Sequence, residues 1–318
     1  MSKIKVKLPM ATVISAAMFV GAFAFVAPAV ASAEVVYDAV PSTLAPSYPS
    51  QPFQAQQTSE FGDYVHLGGT ARDLQSVTVT MVNWALASTS ANEAFCATAG
   101  NCDATGYNWP ITVNIYSNHL TASDTPDTLL ASKTETVHIP WRPVGDPTCS
   151  SYGGVYAWRA SDNQCYNGIA ANVTIDMSDL GVTLPNDVIV GFVYNTQTYG
   201  PHPTGVDGPY NSLNIAVPPT DPVTVGSDAS TTSVFWNTLT ASYYTNPLCK
   251  GGTFCEDTNW SPYGTVAMQI NALLPVSTLT NMNQCKNGGW QSFDPSFKNQ
   301  GQCVSYVQAN PKAGKQSK

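Results

Sequence analysis

The chain has 318 residues, of which 13 are basic and 21 acidic, and only 11% are charged while 43% are hydrophobic. Soluble domains usually carry about 25% charge, so Ser, Thr, Asn and Gln must cover this surface, a composition suited to hydrogen bonding with neutral polymers. The cluster Lys312, Lys315 and Lys318 sits in a polar tail, 309–318, and no other basic cluster follows the N-terminal lysines; this argues against nucleic acid as a partner, because phosphate recognition needs grouped Lys and Arg.

Lys3, Lys5 and Lys7 precede an apolar run from Ala11 to Val26 and the small-residue site Ala31-Ser32-Ala33. The order basic, apolar, small predicts a signal peptide over 1–33 and a secreted protein in an oxidising compartment. Without it 285 residues remain, with 10 basic and 21 acidic side chains and a net charge of −11. Residues 34–58 hold prolines at 41, 46, 49 and 52 and read as a linker, since proline cannot pair within a central strand. From Phe61 the pattern alternates with period two: 61–67, 76–84, 111–116, 129–139, 171–177, 188–194, 212–217, 232–236 and 265–273 read as strands, with Gly, Pro and Asn between them. Only Asp176 to Leu180 suggests a helical turn. Nine short strands without an internal repeat predict an all-β fold, an antiparallel two-sheet sandwich over 59–278. Val266 to Val276 is too short, and with Gln269 and Asn271 too polar, for a transmembrane segment.

Eight cysteines form four close pairs in the gaps between these strands: Cys96 and Cys102, Cys149 and Cys165, Cys249 and Cys255, Cys285 and Cys303. Eight thiols allow 105 pairings, and enclosure of each pair in one predicted loop favours neighbour with neighbour. A zinc site from Cys96, Cys102, Cys249 and Cys255 competes weakly, because the spacing is not that of a zinc ribbon. The last pair lies in a segment, 279–308, too small for a large core of its own; it would rest on its bridge and on Trp290, Phe293, Phe297 and Tyr306.

Ile111-Thr-Val-Asn-Ile-Tyr116 followed by Asp127-Thr-Leu-Leu-Ala-Ser132 resembles the jelly-roll-like extracellular domains of exported bacterial proteins, with Asp127 in place of a glycine. Gln284-Cys-Lys-Asn-Gly-Gly-Trp290 and Phe297-Lys-Asn-Gln-Gly-Gln-Cys303-Val-Ser-Tyr306 resemble a short C-terminal module of secreted actinobacterial proteins. The resemblance implies export and modular use, and it supplies no activity.

Chemistry-bearing motifs are absent: there is no nucleophile elbow, zinc-protease motif, P-loop or dinucleotide fingerprint, so no catalytic residue is assigned. A glycosidase needs two carboxyl groups across a cleft, and Glu60, Glu93 and Glu256 read as edge or loop residues while Glu135 reads as solvent-facing. Among His66, His119, His138 and His202, His202 stands out in the Pro/Gly-rich stretch Tyr199 to Tyr210, beside Asp207. Structural calcium on Asp162, Asp207 or Asp257 lacks EF-hand spacing, and no cofactor or metal ligand is assigned. The expectation is a secreted, non-enzymatic binding or structural module with a glycan or cell-wall polymer as partner. Its binding candidates are Tyr152, Tyr156, Trp158 and Trp260 in disulfide-fixed loops, and His202. Trp84 and Trp236, in strands, read as core. A secreted polysaccharide hydrolase is the alternative, and an inert surface protein the third reading.

Overall fold

The computed structural model describes residues 33–117, 124–152, 154–220, 223–246, 249, 251–275, 279, 281–294 and 297–309. The expected signal peptide apart from Ala33, His119, and the tail beyond Ala309 lie outside the described residues.

The strands are β1 (Glu34–Asp38), β2 (Ser50–Pro52), β3 (Thr58–His66), β4 (Asp73–Asn83), β5 (Gly106–Ser117), β6 (Leu129–Pro140), β7 (Ile169–Asp176), β8 (Asp187–Val193), β9 (Leu213–Ala216), β10 (Ser233–Thr238), β11 (Cys255–Thr258), β12 (Met268–Pro275) and β13 (Phe293–Asp294). They build two seven-stranded sheets. In the first, β4 is central: β7 pairs with one edge from Ser76 to Asn83, while β12 and β9 follow one another along the other edge and carry β1 and β2 outside them. In the second, the order is β11-β10-β3-β8-β5-β6, with the short strand Ser227–Asp228 also on β3. Apart from the two-residue parallel contact of β13 with β12, these pairings are antiparallel. The chain is an antiparallel β-sandwich, and its nine sequence-predicted strands correspond to β3 through β10 and β12.

Alternation explains the core. Val77, Val79 and Met81 of β4 face Phe61 and Val65 of β3, Ile111, Val113 and Ile115 of β5, and Val188, Val190 and Phe192 of β8 in one buried cluster. One polar side chain joins them: Asp63 is buried, accepting from the backbone N–H groups of Tyr64 at 2.8 Å and Val266 at 3.1 Å.

The linker expected over 34–58 is corrected. β1 pairs with β12, Val36 and Tyr37 are buried, and Phe53 stacks on Tyr194 with ring centroids 3.9 Å apart. Both strands are sheet edges, where proline is tolerated because the outer N–H has no ladder partner to lose. Two helices were not expected: α1 (Ser90–Ala99) and α2 (Gln300–Ala309). Thr89 caps α1 by accepting from Asn92 N–H at 3.3 Å, and Gly100 ends it in the left-handed region at φ 65°. The helix lacks a continuous apolar stripe, so the period-3.6 signal is weak; Phe95 carries its packing, against Trp109 and Tyr210.

The bridges join Cys96 to Cys102, Cys149 to Cys165, Cys249 to Cys255 and Cys285 to Cys303, and there are no free cysteines. Cys96 lies in α1 rather than in a loop. Residues 279–309 carry their own small cluster of Leu279, Cys285, Phe293, Phe297 and Cys303, which meets the sandwich at Leu274.

Candidate functional site

Two cavities open at one end of β4, on either side of Trp84. Asn83 is buried there; its amide donates to the carbonyl of Pro140 at 2.8 Å and its side-chain oxygen accepts from Ala85 N–H, tying the ends of β4 and β6 together. One residue on, Trp84 leaves the sheet. Its ring rests on Gly168, where a Cβ would come within 2.5 Å of the indole, so only glycine permits that approach. The indole is 38% exposed and borders two cavities, of about 330 and 260 Å³. This corrects the core reading of Trp84, which rests on a strand drawn over 76–84: the strand ends at Asn83, and past it pairing no longer fixes the side-chain direction.

The loop closed by Cys149–Cys165 forms one wall. Ser151–Tyr152 pairs with Val155–Tyr156, and Trp158–Arg159 with Cys165–Tyr166. Trp158 Nε1–H donates to the carbonyl of Gly168 at 2.8 Å, and Arg159 pairs with Asp146 at 2.8 Å. Hydrogen bonds from Thr148, with Arg159 adding to them, pull the Asp146 carboxyl down to about 2. Arg142 joins this loop to the sandwich: it is 4% exposed, donates from Nη2 to Tyr156 O at 2.7 Å and from Nη1 to Asn167 O at 3.0 Å, and leaves Nε without a partner. Burial lowers the guanidinium pKa. The facing wall of the larger cavity comes from Thr89 and Ser90 at the start of α1, and from Asp207, Asn211 and Ser212; Asn211 donates to Asp207 at 2.6 Å.

The sequence candidates separate accordingly. Tyr156, 45% exposed, and the half-buried Trp158 belong to the Cys149–Cys165 loop but line neither cavity, whereas their neighbour Val155 lines the larger one. Tyr152 pairs through its backbone with Val155, and its side chain lies outside the described residues. His202 is exposed on a turn held by Asn195, apart from this site. Trp260 is not presented to solvent as a stacking face: it packs against Phe61 and, edge-on, Trp236, and donates to Asp257 at 2.8 Å. Trp236 is core, fixed by Thr58.

Asp207 is the one carboxylate lining the larger cavity, whereas glycoside hydrolysis by the usual pathway requires two. Among the described residues no group of three or more His, Cys, Asp or Glu is placed to hold a metal ion. Asp162, Asp207 and Asp257 each accept hydrogen bonds from nearby protein groups. Glu60, read from the sequence as an edge or loop residue, is instead a buried residue of the interior strand β3. No helix among the described residues is long and apolar enough to cross a membrane. Comparison of the chain with protein-family models, curated proteins and solved structures returns no match.

Proposed function

We propose that the chain is a secreted, non-enzymatic module of the extracellular or cell-wall space that binds a glycan or wall polymer at the Trp84 cavities. The observation that carries this reading is an exposed indole resting on Gly168 beside the Cys149–Cys165 bridge, with amides and hydroxyls on the facing wall. A sugar ring has an apolar face, which stacks on an aromatic plane, and a rim of hydroxyls, which pair with such groups. Pre-ordering by the Cys149–Cys165 loop reduces the entropy lost on binding. Four disulfides suit an oxidising compartment, and the low charge of the surface suits a neutral polymer.

Titration of residues 34–318 against a panel of bacterial and plant polysaccharides, with reducing-sugar release measured on the same samples, tests the reading. Saturable binding without release is the expected result. Release that vanishes on substitution of one carboxylate would select the hydrolase instead, and silence in both assays would leave the inert surface protein.

A further inference from the structure

Another cavity, of about 450 Å³, opens on the outer face of the other sheet and shares no lining residue with the two at Trp84. Its floor is made by Glu60 of β3, Thr112 and Asn114 of β5 and Asn237 of β10. Glu60 and Asn237 are cross-strand partners. The Glu60 carboxyl is 8% exposed and lies over Gly191, where a Cβ would meet Oε1 at 2.2 Å. Oε1 accepts from Asn114 Nδ2 and from the Tyr116 hydroxyl, each at 2.9 Å, and Ser132 in turn donates to Asn114 Oδ1 at 2.7 Å. Burial raises the Glu60 pKa, and these two donors offset part of the rise. Beside it, Asn237 Oδ1 is buried without any hydrogen-bond partner. Folded proteins rarely leave such an acceptor unpaired. Pro201 and Leu239, the latter 56% exposed, stand on the cavity wall.

The lining selects a ligand by elimination. It contains no Lys or Arg to hold an anion. One carboxyl with its Oε1 already accepting two donors is a poor start for calcium, which takes six to eight oxygens. A purely apolar ligand would leave the floor unpaired. What fits is a neutral ring with hydroxyls on its edge and an apolar face.

We propose that the Glu60–Asn237 cavity is a second binding site, for a neutral pyranose unit, with Glu60 and Asn114 fixing the hydrogen-bonding floor, Asn237 turning its unpaired Oδ1 toward a ligand hydroxyl, and Leu239 and Pro201 the apolar wall. It does not depend on the Trp84 site. The test is an NMR titration of wild type and the Trp84→Ala variant with cellotetraose, xylotetraose, mannotetraose and chitotetraose. At least one should shift the amide signals of Thr112, Asn114 and Asn237 saturably in both proteins. Adding Asn237→Ala should weaken that response at least about fivefold, the loss of one hydrogen bond, and Glu60→Gln, which keeps the shape, checks the floor with an unchanged fold. The Trp84 indole signal in wild type reports the first site separately. The proposal is overturned if none of the four sugars moves these amides, if the response disappears with Trp84→Ala, or if it persists unchanged in the Asn237→Ala protein.

Discussion

Asp63 sits between the sheets with its carboxyl surrounded by Phe61, Val65 and the other core residues, and burial raises its pKa well above the ordinary carboxylate value. Asp228 and Glu60 are raised for the same reason. A carboxyl with a raised folded pKa binds its proton more tightly folded than unfolded, so its contribution to stability is complete below the unfolded pKa and is lost as pH rises through the folded one. Asp103, Asp146, Asp162 and Asp176 are lowered by local hydrogen bonds; their contribution is lost in the opposite direction, as pH falls below the unfolded value of about 3.9. Thermal melts should therefore peak near pH 4 and decline toward neutrality, and Asp63→Asn should flatten the decline. A melting temperature that rises steadily from pH 4 to 8 would contradict this assignment. At this scale the sequence was partly legible. The place of Trp84 is not legible in the sequence, because its ring is seated on Gly168, 84 positions away. Glu60 reads as an edge or loop residue because the visible alternation starts at Phe61, whereas the strand begins at Thr58.

The period-two pattern located strands well wherever one face enters the core, because alternation and burial coincide there. It failed at the two edges. Pro46, Pro49 and Pro52 correctly exclude a central strand, yet β1 and β2 pair through their inner edges and bury Val36, Tyr37 and Phe53. The Cys149–Cys165 loop is the element on which the candidate site depends, since the buried Arg142 ties the sandwich to Tyr156 inside that loop and to Asn167 just after it. Opening a ring of this size should cost about 3 kcal/mol in the chain-entropy model. Urea unfolding of the Cys149→Ser/Cys165→Ser double variant should show a loss of that order, together with weaker glycan binding. Unchanged stability and unchanged binding would mean that the ribbon and the Arg159–Asp146 pair hold the wall without the bridge.

Among the described residues the large hydrophobic cluster lies between the sheets, a small one of Val82, Ala170, Ala216 and Ala267 lies apart from it, and another under the Cys285–Cys303 bridge meets the large one at Leu274. Phe293 and Phe297 pack on one another, and the attachment to the sandwich is the two-residue pairing of β13 with Leu274 and Pro275 of β12. Truncation after Thr278 should then leave the sandwich folded with a small change in melting temperature, whereas a loss of several kcal/mol, the burial value of two large aromatics, would make residues 279–308 part of one core. Trp84 lies at the other end of β4, and isothermal titration of Trp84→Ala with the best-binding polysaccharide decides whether it carries the binding. Loss of a central aromatic contact of roughly 2 kcal/mol should weaken binding about 30-fold while the melting temperature stays near that of wild type. Wild-type affinity in the Trp84→Ala protein would contradict the account.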